Sequence, residues 1–143
     1  AFYMSDTPKP VVLISAGVGI TPMMSMLESI LPTLAAGQKV LFLHACKNED
    51  QHSFKNGVSN LALQYSSLKT LYWYSDTVTE AENTYSGSMD LNQIRDKIDL
   101  INAEVYLCGP VEFMRFVRLQ LRINDVPKEQ IHFETFGPHD EIT

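Results

Sequence analysis

Positive charge is in short supply. The chain carries 11 lysines and arginines against 17 aspartates and glutamates, a net charge of −6. The basic residues are scattered, which argues against nucleic acid as a partner. Cysteine is scarcer still, with only Cys46 and Cys108. Each follows a predicted strand. The topology inferred below puts those strands on either side of a third, about 9–10 Å apart. A disulfide needs Cα atoms within about 7 Å, so two reduced thiols in a cytoplasmic compartment are expected. The histidines His44, His52, His132 and His139 show no metal spacing, and no Cys–His cluster accompanies them. No apolar run approaches the roughly 20 residues of a membrane helix. Ala1 to Pro10 lacks the basic-then-apolar pattern of a signal peptide. Internal repeats and low-complexity linkers are absent.

What is present is an ordinary globular composition, 45% hydrophobic and 20% charged over 143 residues, which suits one soluble domain. Apolar β-branched runs alternate with helical periodicity. Strands are expected at Val11–Ala16, Lys39–Cys46, Leu68–Tyr74, Glu104–Cys108 and Gln130–Phe136. The first helix is expected over Thr21–Ala35, with Thr21 as cap, Pro22 at its first position and Gly37 ending it. A second is expected from Asp50 to about Tyr65, packing through Phe54, Val58, Leu61 and Leu63. A short one over Met89–Asp99 has Asp90 as cap. A fourth starts at Pro110, with Phe113, Phe116, Val117, Leu119 and Leu121 turned inward in part. Asp76–Ser88 reads as a surface loop. This alternation predicts an α/β fold: a doubly wound, parallel, five-stranded sheet of order 3-2-1-4-5 with helices on both faces.

In such sheets ligands sit beyond the strand ends where the order switches, here between strands 1 and 4. Both strands end in glycine. The turn Gly17-Val18-Gly19-Ile20-Thr21-Pro22 can bring a pyrophosphate close to the backbone and to a helix N-terminus, whose N–H groups bind anions without any lysine. The third glycine of the usual dinucleotide fingerprint is missing, and Pro22 stands in its place. Alone, this turn reads equally well as a strand–helix corner. Cys108-Gly109-Pro110 repeats the layout after strand 4. A buried structural cysteine is the commoner fate of such a thiol. Two glycine-bearing ends at one crevice favour a binding site. Gly19 is expected to lie under the pyrophosphate, so Gly19→Val should abolish binding while the fold survives.

Ile14 to Met23 and Tyr106 to Pro110 resemble the nicotinamide-binding domain of the ferredoxin–NADP reductase superfamily. Phe42-Leu43-His44-Ala45, Cys108 to Met114 and the ending Ile131 to His139 are similar to flavohemoglobins, the bacterial nitric oxide dioxygenases. The resemblance runs from about Pro10 to His139. It implies residues 1–9 as a linker or remnant of an FAD-binding barrel, 10–139 as the NAD(P)-binding domain and 140–143 as a tail. It implies that Gly17, Val18, Gly19, Ile20, Thr21 and Pro22 hold the NAD(P) pyrophosphate and ribose. Cys108, Gly109 and Pro110 would line the nicotinamide site, with Cys108 near the reacting carbon. Thr135, Phe136, Gly137 and Pro138 would contact FAD, with Phe136 against the flavin ring. Glu134 would tune the flavin, since a nearby carboxylate disfavours its anionic reduced form.

The implied partners are an FAD-binding barrel and a globin domain of the same full-length protein, with haem only there. The implied activity is hydride transfer from the nicotinamide to FAD, then electron transfer to haem for nitric oxide detoxification, of which this domain alone supplies the donor half. Other readings of the same fold are the NAD(P)H domain of another flavin reductase and a non-catalytic nucleotide-binding module. Ala45 to Asp50 contains no arginine to grip a 2′-phosphate, and Glu49 and Asp50 would repel one, so NADH is favoured over NADPH. Lys47 argues the other way, and Asp50 also reads as a plain helix cap. His44 is read either as a contact to the adenine ribose or as a hydrogen-bonded structural residue.

Overall fold

A computed structural model describes residues 8–78 and 81–134, without the side chains of Val18 and Glu134. Every residue of the first strand, β1 (Val11–Ala16), is buried. That is the mark of a central parallel strand covered on both faces. Side chains alternate across it: Val12 and Ile14 join one core, Val11 and Leu13 the other.

Beside β1 lie β2 (Val40–Cys46), β3 (Leu68–Tyr74), β4 (Thr84–Ser86), β5 (Glu104–Cys108) and β6 (Ile131–Glu134). The order is β4-β3-β2-β1-β5-β6, and each pairing is parallel. The expected five-strand order is therefore present, with one strand added at its edge. That strand, β4, lies in the stretch read as a surface loop. Three polar-flanked residues carry no usable periodicity. They are held by pairing with β3 and by Tyr85 stacking on the buried Trp73 at 4.9 Å.

The helices fall on both faces. The helices α1 (Ile20–Ile30) and α2 (Lys55–Gln64) cover one face, and α3 (Val111–Ile123) with the segment Met89–Leu100 covers the other. Several boundaries differ from expectation. A 3-10 turn, Gly17–Gly19, precedes α1, whose N-cap is Gly19 with no side-chain cap, so Thr21 lies inside the helix. The α-helix stops at Ile30, and a 3-10 turn around Pro32 follows. Asp50 does not open α2. Asn48 instead caps a short 3-10 turn by accepting from the Gln51 N–H at 3.2 Å, and α2 starts only after Phe54. In α2 Val58 is buried, but Leu63 is 86% exposed. Met89–Asp99 holds one 3-10 turn, Leu91–Ile94, in place of a helix; Asp90 caps it as expected, accepting from Asn92. On α3, Met114, Val117 and Leu121 face the sheet while Phe116 and Leu119 point outward. The helical period selects only one stripe, and apolar character alone does not reveal which.

One clamp fastens the second layer. The Gln120 amide on α3 accepts from Leu91 N at 2.8 Å and donates to Met89 O at 2.9 Å. Gln120→Ala strands both backbone groups, which costs about 1–3 kcal/mol. The expected drop in unfolding free energy is measurable by urea denaturation. A variant as stable as the parent would show that water replaces the amide.

Candidate functional site

The ends of β1 and β5 are neighbours at the sheet's switch point, since the chain continues from β1 toward β2 on one side and reaches β5 and β6 on the other. In register, Ser15 lies beside Cys108, and Cys108 beside Glu134. Three strand ends thus stop at one level, and the two glycine turns rise from the first two.

The glycines have different jobs. Gly17 has φ +55, is exposed, and has nothing within 4 Å of where a Cβ would stand. It gives a left-handed corner and an open cradle. Gly19 is buried, and a Cβ there would stand 2.2 Å from the Cys108 carbonyl oxygen and 2.8 Å from Gly109 N. Gly109 answers from the other side, where a Cβ would meet Ala16 O at 3.2 Å and Phe113 Cδ2 at 3.1 Å. Gly19 and Gly109 therefore let the two turns touch backbone to backbone. The expectation for Gly19 is corrected here: its missing side chain makes room for the β5 turn, so the fold at this junction depends on it.

Around this junction Thr21 and Pro110 are exposed, Pro22 is half-buried and Ile20 is buried. Cys108 was expected at the crevice. Its main chain meets Gly19, while its side chain is fully buried in the core that contains Leu13, Ile20 and Met23. Among the described side chains exposed at the two turns none is ionisable. Among the described side chains these turns therefore present no exposed acid or base, only backbone and the Thr21 hydroxyl. Thr135, Phe136, Gly137 and Pro138 lie outside the described residues, as does the Glu134 side chain. Among the described residues no group of three or more metal-ligating side chains forms, and no helix is long and apolar enough to cross a membrane.

Sequence reasoning missed a second feature. Ser15, His44 and Tyr72 stand side by side in register across three strands. Ser15 Oγ bonds His44 Nδ1 at 2.7 Å, and both residues are buried. The His44 ring packs 4.9 Å from His52, whose Nδ1 bonds the Tyr74 hydroxyl at 2.8 Å. Burial, helped by the neighbouring His52, pushes His44 down to about 3. Burial, helped by Lys55, pushes His52 down to about 4. Burial holds the Tyr74 hydroxyl up at about 12, so it stays protonated. His52 Nδ1 and the Tyr74 hydroxyl share this hydrogen bond, and His52 Nε2 has no partner among the described residues. The cluster is a neutral polar seam two residues below Gly17. Its signal in the sequence was the register, which becomes readable only once the strands are paired. His44 is thereby a hydrogen-bonded buried residue.

At the tips of β2 and β3 the chain is zipped shut. Ser75 and Asp76 donate backbone N–H groups to Cys46 and Lys47, and Asn48 bonds Asp76 at 3.3 Å. Next to them a cavity of about 290 Å³ is lined by Glu49, His52, Phe54, Lys55, Asn56 and Gly57.

The geometry agrees with the comparisons. The model of the oxidoreductase NAD-binding domain matches residues 13–119. A flavohemoprotein of Vibrio cholerae is 38% identical over 143 residues, covering 99% of this chain and 34% of that protein. The chain thus spans about a third of the length of the curated relatives it matches. The flavohem-like FAD/NAD-binding domain of the Vibrio cholerae nitric oxide dioxygenase superposes with TM-score 0.80 at 36% identity, over 96% of this chain and 55% of that one. A Malassezia yamatoensis flavohemoglobin with bound FAD and heme gives TM-score 0.79 at 26% identity, over 94% of this chain and 33% of its own. With three quarters of its length matched and both glycine turns in place, the chain belongs to the oxidoreductase NAD-binding domain family.

Proposed function

We propose that this chain is the dinucleotide-binding part of a flavohemoglobin, holding NADH for hydride delivery to an FAD carried by an adjoining barrel. The observation that carries this reading is the interlocked pair of glycine turns at the switch point. The fit to a dinucleotide is physical. Gly17 leaves open space at an exposed left-handed corner, and an 11-residue helix without a side-chain cap begins three residues later. Backbone N–H groups and the positive helix end are the usual seat of a pyrophosphate.

In this reading Gly17 to Pro22 hold the pyrophosphate and ribose, with the Thr21 hydroxyl as an added donor. Gly109 and Pro110 form the floor for the nicotinamide. Cys108 supports that floor from below, because its thiol is buried. Held by these residues, the nicotinamide would supply a hydride for the FAD of the adjoining barrel, and the full-length protein would use those electrons at its haem for nitric oxide dioxygenation. Glu134 ends β6 in register with Cys108, which suits a carboxylate acting on the flavin. Thr135 to Pro138 complete the flavin contact, with Phe136 on the ring. Residues 1–9 are a linker or remnant of that barrel, residues 10–139 the NAD(P)-binding domain and residues 140–143 a tail, and a globin domain belongs to the same full-length protein. The two reduced cysteines suit the cytoplasm.

Titration with NADH and NADPH, followed by nicotinamide fluorescence, tests the reading. Gly17→Asn is the informative variant, because asparagine tolerates a left-handed backbone. It should weaken NADH binding about tenfold, or 1.4 kcal/mol, with little change in melting temperature. Unchanged affinity would move the pyrophosphate elsewhere.

A further inference from the structure

The outer face of α3 has the polarity of an inner one. Met114, Val117 and Leu121 seal it against the sheet. A surface helix normally turns charged and polar residues the other way. Here Phe116, Leu119 and Ile123, spaced three and four apart, form a second apolar stripe opposite the first, and all three are exposed. Ile123 also lines a cavity of about 290 Å³ together with the exposed Ile101. Four of the seven large hydrophobics exposed among the described residues thus fall on one strip; the other three, Phe54, Leu63 and Val78, are scattered. Single exposed apolar side chains are ordinary, whereas a contiguous strip marks a contact surface.

The charge beside the strip is mostly positive. Arg115, Arg118 and Arg122 run along one flank of it. Arg95 lines the cavity at its far end, with Asp99 and Asp125. These are all four arginines of a chain whose net charge is −6. Glu112 holds Arg115 at 3.1 Å, while Arg118 and Arg122 have no acidic partner among the described residues. The complementary surface is an apolar ridge with carboxylates on its rim. A second copy of α3 does not offer one. Two-fold antiparallel pairing would set the arginine flank against itself.

Area decides the source. With 13 residues, α3 is about 20 Å long and presents a face about 10 Å wide. That is about 200 Å², well under the roughly 800 Å² per partner of a stable complex between separate chains. A tethered partner needs less, because its linker holds it at about millimolar effective concentration. The curated relatives are about three times as long as this chain, which leaves ample protein to supply one.

We propose that the outer face of α3 is a docking surface for an apolar helix with an acidic rim, supplied by the part of the full-length protein outside this chain. It rests on the reading above only in taking the chain as part of a longer protein.

The test uses the full-length protein. Leu119→Cys is alkylated with a maleimide, and the α3 peptide is followed by mass spectrometry. Leu63→Cys is the open reference, since Leu63 stands clear of the core on α2. The Leu119→Cys thiol should react about tenfold more slowly, as expected of a face about nine-tenths covered. The arginines beside it would by themselves speed the reaction. Adding Arg118→Glu and Arg122→Glu should restore the fast rate, and raised salt should do so in part. Equal rates for the two thiols overturn the docking surface. Protection that survives the glutamate pair overturns the acidic rim. Protection lost on dilution from about 100 µM to about 1 µM protein overturns the tethered source and assigns the face to a separate chain. NADH titration of the same proteins keeps the two readings apart. A protein that binds no NADH but protects Leu119→Cys loses the dinucleotide reading and keeps the docking surface; the opposite pair of results does the reverse.

Discussion

Gly19→Val should abolish nucleotide binding and destabilise the domain together. The first β-carbon alone would stand 2.2 Å from the Cys108 carbonyl oxygen and 2.5 Å from its carbon. Those atoms are backbone, belonging to a strand end paired with β1 on one side and β6 on the other. They cannot swing aside as a side-chain tip could. Relief requires the β1 turn to lift off the β5 turn, which separates the two halves of the proposed nicotinamide floor. Overpacking a well-filled core costs about 1–3 kcal/mol, and more where backbone must move. A loss of about 3 kcal/mol or more is expected here, a large share of the roughly 5–15 kcal/mol typical of a domain. Urea unfolding and NADH titration on the same variant read both effects. Gly17→Asn is the control, since it changes the cradle without touching β5. Full NADH affinity in a normally stable Gly19→Val protein would mean that the turns do not meet as described.

The contrast between Gly17 and Gly19 shows how much of this site was legible in sequence. The strand ends, the switch point and the two glycine turns were all readable, because β-branched runs and glycine punctuation are local signals. The division of labour between the glycines was not. It depends on a contact between residues 19 and 108, and no local pattern carries that distance. The same holds for the edge strand β4, which exists through its pairing with β3 and the Tyr85–Trp73 stack. It holds again for Phe116 and Leu119 on α3, which a periodic apolar count places inward and the packing leaves exposed. Ser15, His44 and Tyr72 look unrelated along the chain and become one seam only in register.

That seam should make the fold acid-sensitive. His44 and His52 are held neutral in the folded chain, down at about 3 and about 4 against an ordinary 6.5. Unfolded, they take up protons as pH falls below about 6.5. The unfolded state therefore binds more protons, and stability falls with falling pH until the folded values are reached. The stabilisation is complete above 6.5 and declines from there toward 4 and 3. Each histidine contributes a slope of up to about 1.4 kcal/mol per pH unit. Between about pH 6.5 and 5 most carboxylates stay ionised, so the histidines should dominate that window. Nearby charges do not rescue an imidazolium: Glu49 favours it, but Lys55 opposes it, and Ser15, Tyr72 and Tyr74 bring no negative charge. Urea unfolding across this window should show the slope. His44→Asn keeps an acceptor near the Ser15 hydroxyl but cannot titrate, so it should remove about one proton's worth of the dependence. His52→Asn should do the same beside Tyr74. Because Ser15 lies two residues before Gly17, NADH affinity should weaken along with stability as the seam is strained. A pH slope identical in the parent and both asparagine variants would show that the buried pair accommodates its protons, and the coupling between seam and turn would fall with it.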